Sequence, residues 1–552
     1  MALVWAAAGL GNGCKGAGLM AEMILINGRV YTVDPGCPWA EAVAVRGGRI
    51  AAVGTTEEIR RLAGPQTEVL DLKSAFVLPG FIDSHVHFIN GGLSLLSVQL
   101  RDAGSKTEFI ARIAAKAREL PKGEWILNGD WDHQSFDPVE LPRKEWIDAA
   151  TLDRPVCVNR LDGHMVLCNS LALKRGGITR ATPAPPGGEI VRDATTGEPT
   201  GILKDAAMDL VFRQVPDTTP AQTRRAAEAA MAYAAARGVT SVHDVSGEAG
   251  FGVYQDLRRE GSLTTRIYFY VPIVMIDDVL RLKWKNGFGD ETLRFGGMKG
   301  FADGSLGSAT AYFFEPYADE PGKTGLLSGG MFPEGIMEKR VLAADRGGLQ
   351  AAIHAIGDRA NAVILDIFEK AAAPDPPRER RFRIEHAQHI RPADFARFAK
   401  LGIIASVQPY HAIDDGRWAE KKIGPQRART TYPFRSFLDH GVRLAFGSDW
   451  PVAPMDPILG IYAAVTRRTL DEKNPGGWVP EQKIPLEAAI RAYTADAAYA
   501  EFAETAKGAV KTGYLADFAV LDRNLFEIRP EEIRSVRVLR TIYAGRTVYE
   551  AR

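Results

Sequence analysis

Apolar positions along this chain follow two rhythms. Between Met23 and Val53 they fall in short runs: Ile24–Ile26 leads into Gly28, residues 29–33 alternate, Ala42–Val45 precedes the Gly47-Gly48 turn, and Ile50–Val53 follows. Short runs broken by glycine turns predict a small antiparallel sheet. The C-terminal end has the same texture, with Phe518–Leu521, Val536–Leu539, Thr541–Tyr543 and Thr547–Tyr549 around the Ala544-Gly545 turn. Chain ends often lie close together. Residues 23–77 and 505–552 are therefore expected to build one β-sandwich domain from both termini.

Between these ends, apolar runs alternate with Ala-rich helical patterns, the texture of β/α units. Gln222–Arg237 reads as a helix, Gly238 as its stop and Val239–His243 as a β-branched strand. Eight comparable runs occur, at 80–86, 238–244, 266–272, 294–301, 349–354, 382–387, 403–408 and 442–448. They predict an α/β fold, a distorted (β/α)8 TIM-like barrel over 78–504, whose catalytic groups would sit at the C-terminal strand ends. An open doubly wound sheet competes, but no G-x-G-x-x-G follows an early strand. The stretch 89–220 is too long for one β/α connection. With its own helix (Lys106–Leu120) and the Pro/Gly-rich Pro183–Gly188, it is expected to be an inserted subdomain that shapes substrate access.

Composition narrows the function. Of 552 residues, 46% are hydrophobic and 25% charged, which excludes a wholly disordered chain. Lys plus Arg and Asp plus Glu both total 68, so the formal charge is zero. No whole-molecule field draws in nucleic acid or anionic membrane, and no apolar run reaches the ~18 residues of a membrane span. Cys14, Cys37, Cys157 and Cys168 lie far apart with no C-x-x-C pair, so neither a thiolate zinc site nor a disulfide scaffold is expected. A reducing, cytoplasmic setting is the simpler expectation. Residues 1–22 are rich in Ala and Gly, and their one basic residue, Lys15, follows the apolar patch Ala2–Ala8. A secretory signal has the opposite order, so a disordered leader or a mis-set start is expected. A small-molecule substrate is the expected partner, and a homodimer is left open.

Chemistry concentrates at the strand ends. In Leu78-Pro79-Gly80-Phe81-Ile82-Asp83-Ser84-His85-Val86-His87, period-two geometry sends Asp83, His85 and His87 to one face. Two imidazoles two residues apart can chelate one metal ion. His354, His386, Asp449 and Lys299 each close a later strand-like run. Singly, a structural histidine or a solvated lysine is the better reading; a shared location at five strand ends reverses it. Imidazole and carboxylate donors suit zinc, and also fit iron, nickel or manganese. An ammonium has no lone pair, so Lys299 joins such a set only as its carbamate, formed with carbon dioxide.

The motif 78–87, followed by Lys, His, His and Asp in that order, resembles the amidohydrolase superfamily. Gly129-Asp130-Trp131-Asp132, Arg160-Leu161-Asp162-Gly163-His164 with Asn169-Ser170, Gly197-Glu198-Pro199-Thr200-Gly201, Lys299-Gly300-Phe301-Ala302-Asp303-Gly304-Ser305 and Ser406-Val407-Gln408-Pro409 narrow the resemblance to amidohydrolase family 3. That group includes N-substituted formamide deformylases. The resemblance runs from about Ile24 to the C-terminus. It implies a metal-dependent hydrolase that cleaves an amide-like C–N bond with metal-activated water. It further implies two divalent metals per chain, zinc by the donor chemistry above: His85 and His87 on one, His354 and His386 on the other, carbamylated Lys299 between them. Asp449 would touch the first metal and serve as the catalytic base. Lys204 is a rival for the bridging lysine, though it lies in the insertion.

His164, Trp131 and Tyr410 are expected substrate-binding residues, and His411 shares the position of Tyr410 after strand seven. His243 beside Asp244 would be an Asp-oriented histidine behind the centre. His133, His389 and His440 are read as structural. Alternatives to the amidase reading are a non-catalytic scaffold or signalling homologue, and a mononuclear deaminase or esterase of the same superfamily.

Overall fold

The computed structural model describes residues 20–551, apart from 134–135, 161–164, 186–187, 206, 308 and 374–377. All eight predicted runs form strands of one parallel sheet: β1 (Phe81–Val86), β2 (Val239–Asp244), β3 (Arg266–Pro272), β4 (Leu293–Phe301), β5 (Gln350–Ala355), β6 (Arg383–His386), β7 (Ile404–Val407) and β8 (Leu444–Phe446). Each pairs with the next in sequence order. Connecting helices cover the outside, so strands such as β2 and β6 are buried along their whole length and read as continuous runs.

The ring is distorted, with register shifts between β1 and β2 and between β3 and β4. Among the described residues it closes at its C-terminal end, where Asp449 N–H donates to His85 O at 2.7 Å and His87 N–H to Trp450 O at 2.8 Å. Gly447 allows this approach: a Cβ there would stand 2.5 Å from the His85 nitrogen. The helix before β2, Pro220–Ala235, starts two residues earlier than its apolar pattern. Thr219 and Gln222 form a capping box, with Pro at the first turn.

Two further sheets use the chain ends. In a six-stranded sheet, Phe518–Leu521 pairs antiparallel with Phe76–Pro79, joining C-terminal to N-terminal strands. A four-stranded sheet contains Ala21–Ile26, Ala42–Arg46, Arg49–Gly54 and Ala63–Asp71. Met23, Leu25 and Val45 from this sheet pack against Val77, Phe518 and Ile542 of the other, forming one apolar layer. The first strand begins at Ala21, so Ala21 and Glu22 belong to the sheet and not to a leader.

Within 89–220 lies a separate five-stranded sheet, in the order Gly188–Arg192, Pro199–Asp205, Met165–Cys168, Val156–Asn159, Ile126–Leu127. The helix Lys106–Glu119 packs on it through Phe109 and Ile113. This sheet pairs Cys157 directly opposite Cys168, with their buried sulfurs 3.4 Å apart. A separation of eleven positions in sequence had hidden a contact that antiparallel register makes. Among the described residues, no helix is long and apolar enough to cross a membrane.

Candidate metal centre

Strand ends bring the predicted donors together. His85 lies within β1, and His87 follows it as the residue preceding the helix Phe88–Leu96. Asp449 stands just beyond β8 in a left-handed conformation (φ 59°). Its Oδ1 lies 3.5 Å from His85 Nε2 and 3.4 Å from His87 Nε2. His386, the last residue of β6, is also left-handed (φ 73°). Such backbone is costly for a residue with a Cβ and is held by its surroundings. Here it turns both side chains over the barrel mouth. The His386 ring lies 4.9 Å from that of His85 and 4.5 Å from that of His354.

Each imidazole has one nitrogen already engaged. His85 Nδ1 meets Glu385 Oε2 at 2.6 Å, His87 Nδ1 meets Ser246 Oγ at 3.1 Å, and His386 Nδ1 meets Gln408 Oε1 at 2.8 Å. His354 uses Nε2, 3.1 Å from Gly304 O. The opposite nitrogen of each ring is then the one free to bind a metal, which is how metal-binding histidines are oriented.

Lys299 projects from β4 and is buried, and its Nζ has no hydrogen-bond partner among the described residues. Burial pushes its pKa down to about 8, against the opposing pull of Glu385 and Asp449. Lys204, the rival, ion-pairs with Glu189 at 2.8 Å within the insert's sheet. Burial raises the Asp449 carboxyl, but the His87 hydrogen bond and the charges of His85 and His386 hold it well below the usual carboxylate range.

Beneath the donors lies a polar layer of which sequence reading had singled out only Asp83. Arg383 is fully buried and crosses the barrel interior. It donates to Ser84 O (2.6 Å), Ser406 Oγ (2.7 Å) and Tyr270 Oη (3.0 Å), and pairs with Glu385 at 2.7 Å. Burial pushes Glu385 up, yet Arg383 and His85 hold it well below its ordinary value. Asp83, on the same face as His85, accepts from Ser448 N–H at 2.9 Å and so pins the turn that carries Asp449.

Two expectations change and a third, for His411, sharpens. Trp131 is a core residue and not a pocket wall: it is fully buried among Phe109, Phe136 and Ile147 of the insert, and its indole N–H donates to Val158 O at 2.9 Å. His243 is not oriented by Asp244. Adjacent strand residues face opposite sides, so His243 Nδ1 meets Arg383 Nη1 at 2.7 Å while Asp244 accepts from Tyr254 Oη at 2.7 Å. His411 joins the centre: one of its nitrogens, one of His386 and a carboxylate oxygen of Asp449 all lie within 4.8 Å of one another. Tyr410 is half-buried beside it at the head of the helix Pro409–Asp415. His164 lies outside the described residues.

A parallel eight-stranded barrel with imidazole and carboxylate donors gathered at its mouth has the architecture of a metal-dependent hydrolase. The profile of the amidohydrolase family matches residues 68–549, and the chain belongs to that family. The Arabidopsis thaliana protein LONG AFTER FAR-RED 3 is 41% identical, over 97% of this chain and 92% of the relative. An N-substituted formamide deformylase from Arthrobacter pascens is 30% identical, over 96% and 99%. Among solved structures, an uncharacterized metal-dependent hydrolase from Pyrococcus furiosus superposes with a TM-score of 0.75 at 30% identity, over 92% of this chain and 99% of its own.

Proposed function

We propose that the protein hydrolyses an amide-like C–N bond in a small N-acyl or N-formyl compound. The observation that carries this reading is the Asp449 carboxylate lying 3.4–3.5 Å from two imidazole Nε2 atoms whose opposite nitrogens are engaged. The full-length likeness to a formamide deformylase supports the C–N bond as the target.

The residues fit a pair of divalent metals, with zinc the choice their chemistry favours. His85, His87 and Asp449 would hold one, and His354 and His386 the other. The buried amine of Lys299, which lies 3.7 Å from the centre of the Phe301 ring and has no hydrogen-bond partner among the described residues, fits a group that gains two oxygen ligands by adding to carbon dioxide and releasing one proton. Bound metals would supply Lewis acidity, lowering the pKa of a water ligand from about 15.7 towards about 7.

The chain's own part is proton handling and alignment. Asp449, ionised in its nest of imidazoles, takes one proton from the attacking water at Oδ1 or Oδ2. As the C–N bond breaks it returns that proton to the departing nitrogen, so one carboxyl serves as base and then acid. The water oxygen ends on the acyl carbon as a carboxylic acid, and the amine leaves neutral. Glu385 and Gln408 hold His85 and His386 in fixed orientations throughout.

A screen of metal-loaded protein against N-formyl, N-acyl and ester compounds, with chelator controls, tests this reading. Chelator-sensitive turnover of amides supports it, and preference for esters alone or a folded protein that takes up no metal overturns it. The second outcome would favour a scaffold, a reading that the 41% identical relative, whose name states no reaction, keeps in view.

A further inference from the structure

Among the described residues, His411 stands at the centre without a place in the implied ligand set; it follows strand seven, where substrate contacts are expected. It projects from the helix Pro409–Asp415, which begins just past β7. Its distance from Asp449 and His386 is that of a neighbour in the same small volume, 4.8 Å or less. Its Nε2 is buried and has no hydrogen-bond partner among the described residues. A buried polar atom without a partner is costly, and it belongs to an imidazole that stands beside the carboxylate assigned to proton transfer.

The mounting of His411 differs from that of the other four imidazoles. They sit on or directly against barrel strands, each with one nitrogen engaged. His411 rides one turn before Asp415, whose buried carboxylate accepts from Tyr432 Oη at 2.6 Å and from Gln388 Nε2 at 3.1 Å. This anchoring fixes the helix end, and the same carboxylate acts electrostatically on His411 one turn earlier. Without His411 the centre already offers four imidazoles, a carboxylate and the Lys299 amine, enough donors for two metals.

We propose that His411 is a catalytic residue of the hydrolysis described above: its imidazole N–H donates to the carbonyl oxygen of the scissile amide as that carbon becomes tetrahedral. No proton is transferred at this step. The N–H bond stays intact while negative charge builds on the oxygen, and Asp449 alone carries the water proton. A preorganised donor aimed at a developing oxyanion contributes far more to the transition state than to the bound substrate. The assignment rests on the amidase reading and adds to it the group that steadies the oxyanion.

The test uses the full-length, zinc-loaded protein with formanilide and acetanilide as probes, comparing wild type, His411→Ala and His411→Gln. The expected result for His411→Ala is a fall in kcat of about 100- to 1000-fold, with KM changed only a few-fold and zinc content equal to wild type. His411→Gln, which keeps an N–H donor, should recover part of the rate; it also stands in should the alanine variant fail to fold. Loss of a zinc equivalent in either folded variant would make His411 a metal ligand and overturn the assignment. An unchanged kcat at full zinc occupancy would overturn it too, leaving the amidase reading intact. A zinc-replete wild type that turns over neither probe nor any other amide would sink both.

Discussion

At the scale of single residues the site divides into groups that would touch metal or substrate and groups that hold them. Asp449 is the sharpest case of the first. Asp449→Asn keeps the shape and one ligand oxygen but removes the proton acceptor, so turnover should vanish while most metal stays. Parallel rate and metal measurements check this; substantial rate in a metal-replete variant would refute the role. Glu385 represents the second kind. Glu385→Gln preserves an acceptor for His85 Nδ1 but removes the charge behind it. Metal affinity should drop about 10- to 100-fold, read by competition with a chelator, and unchanged affinity in folded protein would show the contact to be incidental. His85, His87, Lys299, His354, His386 and Asp449 were legible as candidates because each falls at the end of an apolar run that reads as a strand. His411 was read as a substrate contact after strand seven and not as a neighbour of the donors, because a helix mounting carries no such mark. Arg383 and Glu385 were hidden for another reason: they lie inside a short buried strand, where a charged residue in sequence looks like a solvated one.

At the scale of elements, the closure between β8 and β1 deserves a test, because it delivers Asp449 to His85 and His87. Two backbone bonds and the Asp83 carboxylate hold it, and Gly447 makes room for it. Gly447→Ala would drive a methyl group into the His85 backbone, at a site with no flexible side chain to yield. The cost should be about 1–3 kcal/mol, as for overpacking in a tight core, with weakened metal binding because the two ligand-bearing segments separate. A lower thermal midpoint together with lower metal affinity is the expected pair of readings; wild-type values for both would show the closure to be tolerant. Sequence gave the strands themselves to within a few residues, because parallel strands covered on both faces are continuous apolar runs. It did not give the closure, which depends on a missing side chain and on three residues after the last strand. Nor did it give the Cys157–Cys168 contact, a product of register alone.

For the molecule as a whole, the visible features in sequence were the long-range ones: eight strands in order, β-structure at both ends, an insertion between the first two barrel strands. The internal charge balance was not visible, and it sets how the fold responds to acid. His389 illustrates this. It was read as structural, and it is buried, with Nδ1 2.8 Å from Thr431 Oγ1 and its backbone N–H donating to Ile356 O. Burial pushes its pKa down to about 3, with the Arg427 charge adding to the effect. Unfolded, it would titrate near its ordinary value of about 6.5. Above that pH neither state binds the proton, and this group contributes no pH dependence. Between about 6.5 and 3 the unfolded chain binds the proton and the folded one does not, so stability falls as pH falls. From pH 6.5 to 5 this one group should cost about 2 kcal/mol. His389→Gln retains a polar partner for Thr431 and cannot titrate, so its urea midpoint should decline less than wild type between those two pH values. Equal declines would mean that the imidazole is protonated without unfolding, and that this part of the barrel opens more readily than its packing implies.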